Sequence, residues 1–187
     1  MRQRFAAVNL DKEEIVYPEK YGLIGTFFSI SSESCPESEK IVHFSDCWND
    51  FTRTLSWLFS NSWMGDRVIM LGEKAFENDY YKEVLTSNGV KHNLIAELNE
   101  GIFYKKEIVS ERYFVNDITE EYVDLSEYPY CIIPHLITVG NGLSSTDYNG
   151  PDKEYIGDWA FFNLKILSDI PKNYTKAEYY FHKEGGF

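Results

Sequence analysis

The spacing of apolar residues changes along this chain, and that change constrains the fold more than any other feature. Between residues 45 and 59, Cys47, Phe51, Leu55 and Leu58 fall at intervals of four, four and three, which places them on one face of a helix. Between residues 159 and 167, Phe162, Leu164 and Ile166 instead alternate with Asn163 and Lys165. That is the period of a strand with one face in a core. A chain holding both periods has to pack helices against a sheet.

Local signals extend this reading. Ser45 is a suitable N-cap with Asp46 in the first turn, and Trp48, Trp57 and Phe59 widen the apolar face of the first helix. A second helix is expected over Lys74 to Ser87, with Phe76, Tyr80, Val84 and Leu85 in register and Gly89 as a left-handed terminator. Phe5 to Leu10 and Glu14 to Tyr17 read as strands around a turn, and Arg67 to Leu71 as an interior strand ended by Gly72. Further strands are expected at Leu23 to Ile30, Ile102 to Val109, Arg112 to Asn116, Cys131 to Val139, Trp159 to Leu167 and Ala177 to His182. Asp117 to Leu125 has room for a short helix, and the Ser-rich stretch from Ser29 to Glu39 reads as a loop. Regular βαβ alternation is absent, so the expected fold is α+β. It is a single compact domain with a mixed or antiparallel sheet and about two principal helices, with a weak two-lobe break near 90–100.

One internal echo stands out. Trp63-Met64-Gly65-Asp66 and Tyr155-Ile156-Gly157-Asp158 each read aromatic, aliphatic, Gly, Asp ahead of a strand-like run. Shared turn chemistry explains this, with Gly at positive φ and Asp bonding local backbone; duplicated half-domains are the other explanation. The residues that follow differ, Arg67-Val68 against Trp159-Ala160.

Composition then removes whole classes of function. The 187 residues include 14 Tyr, 13 Phe and 4 Trp, enough apolar surface to exclude disorder as the main state. A net charge of −12 argues against gripping nucleic acid, whose phosphates demand cations. The longest uncharged stretch, which starts at Tyr128, contains Pro129, Pro134, Gly140 and Gly142 and is no membrane span. Phe5 to Leu10 is too short for a signal-peptide core. Three cysteines, Cys35, Cys47 and Cys131, are an odd number without metal spacing, which points to a reducing cytosol.

No catalytic signature emerges. Cys131 and His135 lie four apart around Pro134, a poor geometry for a nucleophile and its base. His43, His92 and His182 stand singly, and Glu107, Glu111, Glu120 and Glu121 default to a solvated face. Gly140-Asn141-Gly142 lacks the Lys of a phosphate loop. Asp147, Asn149, Asp152 and Asp158 gather oxygen ligands, but Pro151 interrupts the calcium-loop spacing, so no metal and no cofactor is expected.

What stands out is charge. From Tyr113 to Asp152 the chain carries Asp117, Glu120, Glu121, Asp124, Glu127, Asp147 and Asp152 and not one Lys or Arg before the closing Asp152. Tyr113, Phe114, Tyr122, Tyr128, Tyr130 and Tyr148 are interleaved with them. A single-sign surface steers an oppositely charged partner, and tyrosines serve as anchors. The expected partner site is therefore Asp117, Glu120, Glu121, Tyr122, Asp124, Glu127, Tyr128 and Tyr130.

Asn9-Leu10-Asp11-Lys12, Trp63 to Val68, Asn116 to Thr119, Gly140 to Gly142 and Asp147 to Gly150, and Tyr155 to Ala160 resemble a group of uncharacterised small acidic proteins of bacteria and their phages. That resemblance implies no activity. In size and acidity the chain also looks like immunity proteins, which neutralise a toxin by covering its basic active site. The leading expectation is a cytoplasmic acidic protein that blocks a basic partner such as a toxin domain, without nucleic acid or membrane. An uncharacterised enzyme or a small-ligand or divalent-cation binder is the alternative, and a phage-related structural subunit the third.

Overall fold

The computed structural model describes residues 5–17, 50–72, 79–90, 110–128, 132–140 and 156–179. Within them an eight-stranded mixed sheet is packed against three helices, an α+β fold. The sheet is best understood as two units built on one plan. In the first, β1 (Phe5–Asn9) and β2 (Glu14–Val16) form a hairpin, followed by α1 (Asp50–Ser60) and β3 (Asp66–Gly72). Between the units lies α2 (Asp79–Ser87). The second unit runs β4 (Tyr113–Asn116), β5 (Glu121–Asp124), α3 (Ile133–Ile137), β6 (Thr138–Gly140) and β7 (Asn163–Leu167), and β8 (Thr175–Lys176) follows.

The hairpin tips share one chemistry. The Asn9 side-chain oxygen accepts from the N–H groups of Asp11 and Lys12, and that of Asn116 accepts from Ile118 and Thr119. Four positions after each Asn, Glu13 and Glu120 both sit at φ 54°. Asn replaces a backbone acceptor in such a turn, and the left-handed residue brings the chain back into the return strand. The helix-to-strand turns match as well. Trp63 N–H donates to Leu58 O and Trp159 N–H to Leu136 O, both at 2.8 Å. Two residues later Gly65 (φ 81°) and Phe161 (φ 70°) reverse the chain. Three residues after that, Val68 pairs with Asn9 and Leu164 with Asn116.

Trp159, not Tyr155, is therefore the counterpart of Trp63, and the echo visible in the sequence is displaced by four residues from the structural correspondence. Arg67 corresponds to Asn163, and these two pair with each other where β3 meets β7 antiparallel. A pseudo-twofold axis passes between them. The order β2-β1-β3-β7-β4-β5-β8 is symmetric about it for the first six strands, while β6 adds to β3 in parallel.

Both α1 and α3 lie on one face of the sheet. Phe51, Leu55, Leu58, Phe59, Leu136 and Ile137 bury Trp63 and Trp159 against Val68, Met70, Phe114 and Ile166. Phe59 meets Phe114 edge-on at 5.2 Å, and Phe114 meets Trp159 at 5.1 Å. The opposite face of the first unit, Ala6, Val8, Ile15, Ile69 and Leu71, packs with Leu85 of α2 and Val90.

Several expectations change. Residues 133–137 form α3 rather than part of a strand. Ile132 to Ile137 is buried throughout, so its apolar pattern has no period to distinguish the two states, and Pro134 in the first turn needs no N–H donor. Asp117 to Leu125 is a hairpin turn and β5, because the Asn116 side chain organises the turn ahead of β-prone Tyr122 and Val123. Strand β7 begins at Asn163, since the positive φ of Phe161 breaks the run from Trp159. Near the end, Thr175 and Lys176 pair while Ala177 to Tyr179 of the expected Ala177 to His182 strand are not in a strand, and the rest of it lies outside the described residues. The expected strands at Leu23 to Ile30 and Ile102 to Val109, the loop from Ser29 to Glu39 and the cap at Ser45 lie outside the described residues. Gly89 does end α2 at φ 79°. Among the described residues no helix is long and apolar enough to cross a membrane.

The two turn glycines differ in what surrounds them. A Cβ on Gly65 meets nothing, whereas one on Gly157 runs into the Thr138 carbonyl. Chemical denaturation is expected to show a loss of about 1 kcal/mol for Gly65→Ala, from positive φ alone. Gly157→Ala should lose about 3 kcal/mol, because backbone must also move.

Candidate functional site

The acidic, cation-free segment of the sequence folds around the β4–β5 hairpin, and cations from outside it close on three of its carboxylates. Lys165 of β7 lies 2.8 Å from Asp117, which also accepts from the Tyr174 hydroxyl at 2.9 Å. The guanidinium of Arg112 forms a two-pronged pair with buried Asp124, whose Oδ1 also accepts from the Ser126 hydroxyl at 2.6 Å. Lys176 meets Glu127 at 2.6 Å. Antiparallel pairing of β4 with β5 and β7 brings Arg112 and Lys165 to this end of the sheet.

Each pair has an electrostatic consequence. Burial raises the Asp124 carboxyl, but hydrogen bonds from Arg112 and Ser126 and the Arg112 charge outweigh it, leaving the group below the usual carboxylate range. The hydrogen bond to Asp124 in turn raises the Arg112 guanidinium. Tyr122 stands edge-on to Tyr113 at 5.8 Å, and Arg112 covers the Tyr113 ring at 5.4 Å.

Glu120, Glu121 and Asp158 are different: among the described residues none has an ion-pair partner. Glu120 is exposed at the left-handed position of the hairpin, and Glu121 is half-buried at the start of β5. Partial desolvation and then the charge of Glu121 raise the Asp158 carboxyl. Burial, followed by the charges of Asp158 and Glu121, raises the Tyr179 phenol. Glu121 and Asp158 thus share one negative potential beside half-buried Tyr179, which packs with Tyr128 against the same core.

The first unit shows why that charge is left over. There Glu14 accepts from the Trp63 indole N–H at 2.6 Å, Asp66 takes both the Asn9 amide at 2.7 Å and Lys12 at 2.8 Å, and Arg67 binds Asp11. In the second unit Glu121 corresponds to Glu14, but among the described residues it receives no indole N–H, and the Trp159 ring stands edge-on to that of Tyr179 at 6.5 Å. Phe162 stands where Asp66 would be, and the buried Asn116 amide nitrogen has no partner among the described residues. The first hairpin neutralises itself; among the described residues the second keeps carboxylates without ion-pair partners.

Along the outer edge of β5 lies a C-terminal strap, Tyr174 to Tyr179. It pairs in parallel, Thr175 with Glu121 and Lys176 with Tyr122, through Thr175 N–H to Glu120 O at 2.9 Å and Ala177 N–H to Tyr122 O at 2.8 Å. The Tyr128 hydroxyl accepts from Tyr179 N–H at 3.1 Å, and the Tyr179 ring lies 6.5 Å from that of Trp159.

Of the expected site residues, Asp117, Glu120, Glu121, Tyr122, Asp124, Glu127 and Tyr128 thus cluster around one hairpin and its edge. Tyr130, Asp147, Asn149 and Asp152 lie outside the described residues. No group of three or more metal-capable side chains occurs among those described. His135 is buried on α3. Sequence reasoning passed over Arg112, Lys165, Lys176, Tyr174 and Tyr179. The placement of Lys165 on the polar side of an alternating strand was the one available signal. No protein-family model, no curated protein and no solved structure matches the chain.

Replacing Arg112 by Ala leaves a buried carboxylate alone and should cost about 2 kcal/mol at pH 7, less than a fully buried pair because Arg112 is half-exposed. The Asp124 pair contributes fully above the ordinary Asp value of 3.8, and its contribution is lost as pH falls through the lowered folded value. The wild type and Arg112→Ala stability curves should therefore converge once the pH lies below the lowered folded value. Asp158→Asn has the opposite sign: a raised carboxyl is a penalty when charged, so the variant should be more stable at pH 7. That gain should disappear below pH 3.8, where both states are protonated.

Proposed function

We propose that this protein is a cytoplasmic binding protein that blocks a basic protein partner, acting as an immunity protein toward a toxin. The observation that supports this reading is the pair of carboxylates Glu121 and Asp158 beside Tyr179, with exposed Glu120 next in the chain and none of the three ion-paired among the described residues, in a chain of net charge −12. Charges already matched internally contribute little to a long-range field, so Asp117, Asp124 and Glu127 are secondary. The free carboxylates would steer a basic surface into contact, and half-buried tyrosines would then be covered as anchors.

Affinity capture from the source extract at low and moderate salt, with wild type and Glu120→Lys/Glu121→Lys in parallel, tests the proposal. The wild type should retain a basic protein in stoichiometric amount, the added salt should loosen it, and the variant should lose it. With the captured partner, association by the variant should be slower by about tenfold or more at low salt, the difference shrinking as the Debye length contracts to about 8 Å. Neither substitution breaks an internal ion pair, so the fold is left intact. Capture of no basic protein, or equal capture by both chains, overturns the reading.

A further inference from the structure

The strap along β5 is a strand seated on a sheet edge, with its bonds near the surface. Among the described residues Thr175 and Lys176 are in register with β5, Ala177 and Tyr179 pack against the margin of the core, and none of residues 174–179 is buried. The pairing is parallel, the weaker of the two arrangements. The ion pair from Lys176 to Glu127 is exposed on both sides, and such pairs add little. Segments with few buried contacts and solvent-exposed backbone bonds open first. Beneath the strap, in contrast, β4 and β5 carry fully buried Phe114, Val115 and Val123.

The same edge fits a foreign strand. Its carbonyls at Glu120 and Tyr122 accept from an incoming backbone, as they do from Thr175 and Ala177. Asp117 receives a phenol hydroxyl, Glu127 receives an ammonium, and Trp159 and Tyr128 hold an aromatic residue. Glu120 and Glu121 flank this track without cations of their own. We propose that the outer edge of β5 is the docking track for an extended basic segment of the partner, running parallel to β5, and that residues 174–179 are its resident, displaceable occupant. This rests on the reading of the hairpin rim as the partner site. The strap itself displays the pattern the track selects: aromatic, any residue, Lys, two residues, aromatic, from Tyr174 through Lys176 to Tyr179. A partner segment with additional cations displaces the strap because it also reaches Glu120 and Glu121. Main-chain bonds to a sheet edge supply affinity in this mode, and side-chain sites supply selection.

Two measurements on the full-length chain test this. In wild-type hydrogen exchange, the Thr175 and Ala177 amides should exchange about 100-fold or more faster than those of β4 and β7, because strap release does not require unfolding of the sheet. Exchange of strap and sheet amides at one common rate overturns the proposal. The second measurement uses a labelled peptide of residues 172–179 as probe. It should bind Thr175→Pro/Ala177→Pro, which lacks both strap N–H donors, about tenfold or more tighter than wild type. A peptide carrying Lys176→Glu should lose that gain. Equal binding to both chains, or binding to neither, overturns the track. A captured basic protein with no peptide binding sinks the track alone, whereas peptide binding with no captured protein sinks the toxin reading alone.

Discussion

Pairing of β3 with β7 at Arg67 and Asn163 holds the rest of the molecule in place. It joins two hairpin–helix–strand units edge to edge, and the antiparallel sense relates them by a pseudo-twofold axis. Helices α1 and α3 are thereby placed on the same face, where Phe59, Phe114 and Trp159 form one aromatic row across the junction. Local bonds reinforce the joint: Gly65 N–H donates to Leu164 O, and the Asn163 amide donates to Gly65 O, each at 2.8 Å. A side chain at Gly65 would not obstruct this contact, but the positive φ there makes Gly the least costly residue.

Symmetry of backbone does not extend to charge. In the first unit Glu14, Asp66 and Asp11 are bonded to Trp63, to Asn9 and Lys12, and to Arg67. At equivalent positions the second has Phe162 in place of an acid, and its indole ring lies edge-on to Tyr179. The outcome is one self-satisfied end of the sheet and one end with spare negative charge. That asymmetry, more than the total of −12, gives the molecule a direction.

Linear charge and spatial charge also part company. Along the chain, residues 113–152 read as one acidic block. In space, Arg112, Lys165 and Lys176 enter from before and after it and neutralise Asp124, Asp117 and Glu127. Coulomb attraction acts on distance, and β-pairing brings Lys165 and Lys176 close to acids 48 and 49 positions away.

The amino-acid sequence by itself determined the α+β class, the β1–β2 hairpin, the interior strand β3 and the Gly89 helix end, because these depend on local period and turn chemistry. It also placed the acidic residues of the expected site in one neighbourhood, since all five lie within a dozen positions. Period cannot separate a buried helix from a buried strand, so α3 was legible only once its surroundings were known. Tertiary structure alone decided that Trp159 matches Trp63, that Asp117, Asp124 and Glu127 are paired, and that Glu120 and Glu121 are not paired among the described residues. Each of those outcomes depends on which strands become neighbours, and strand order is set by burial over the whole chain rather than by any short stretch of it.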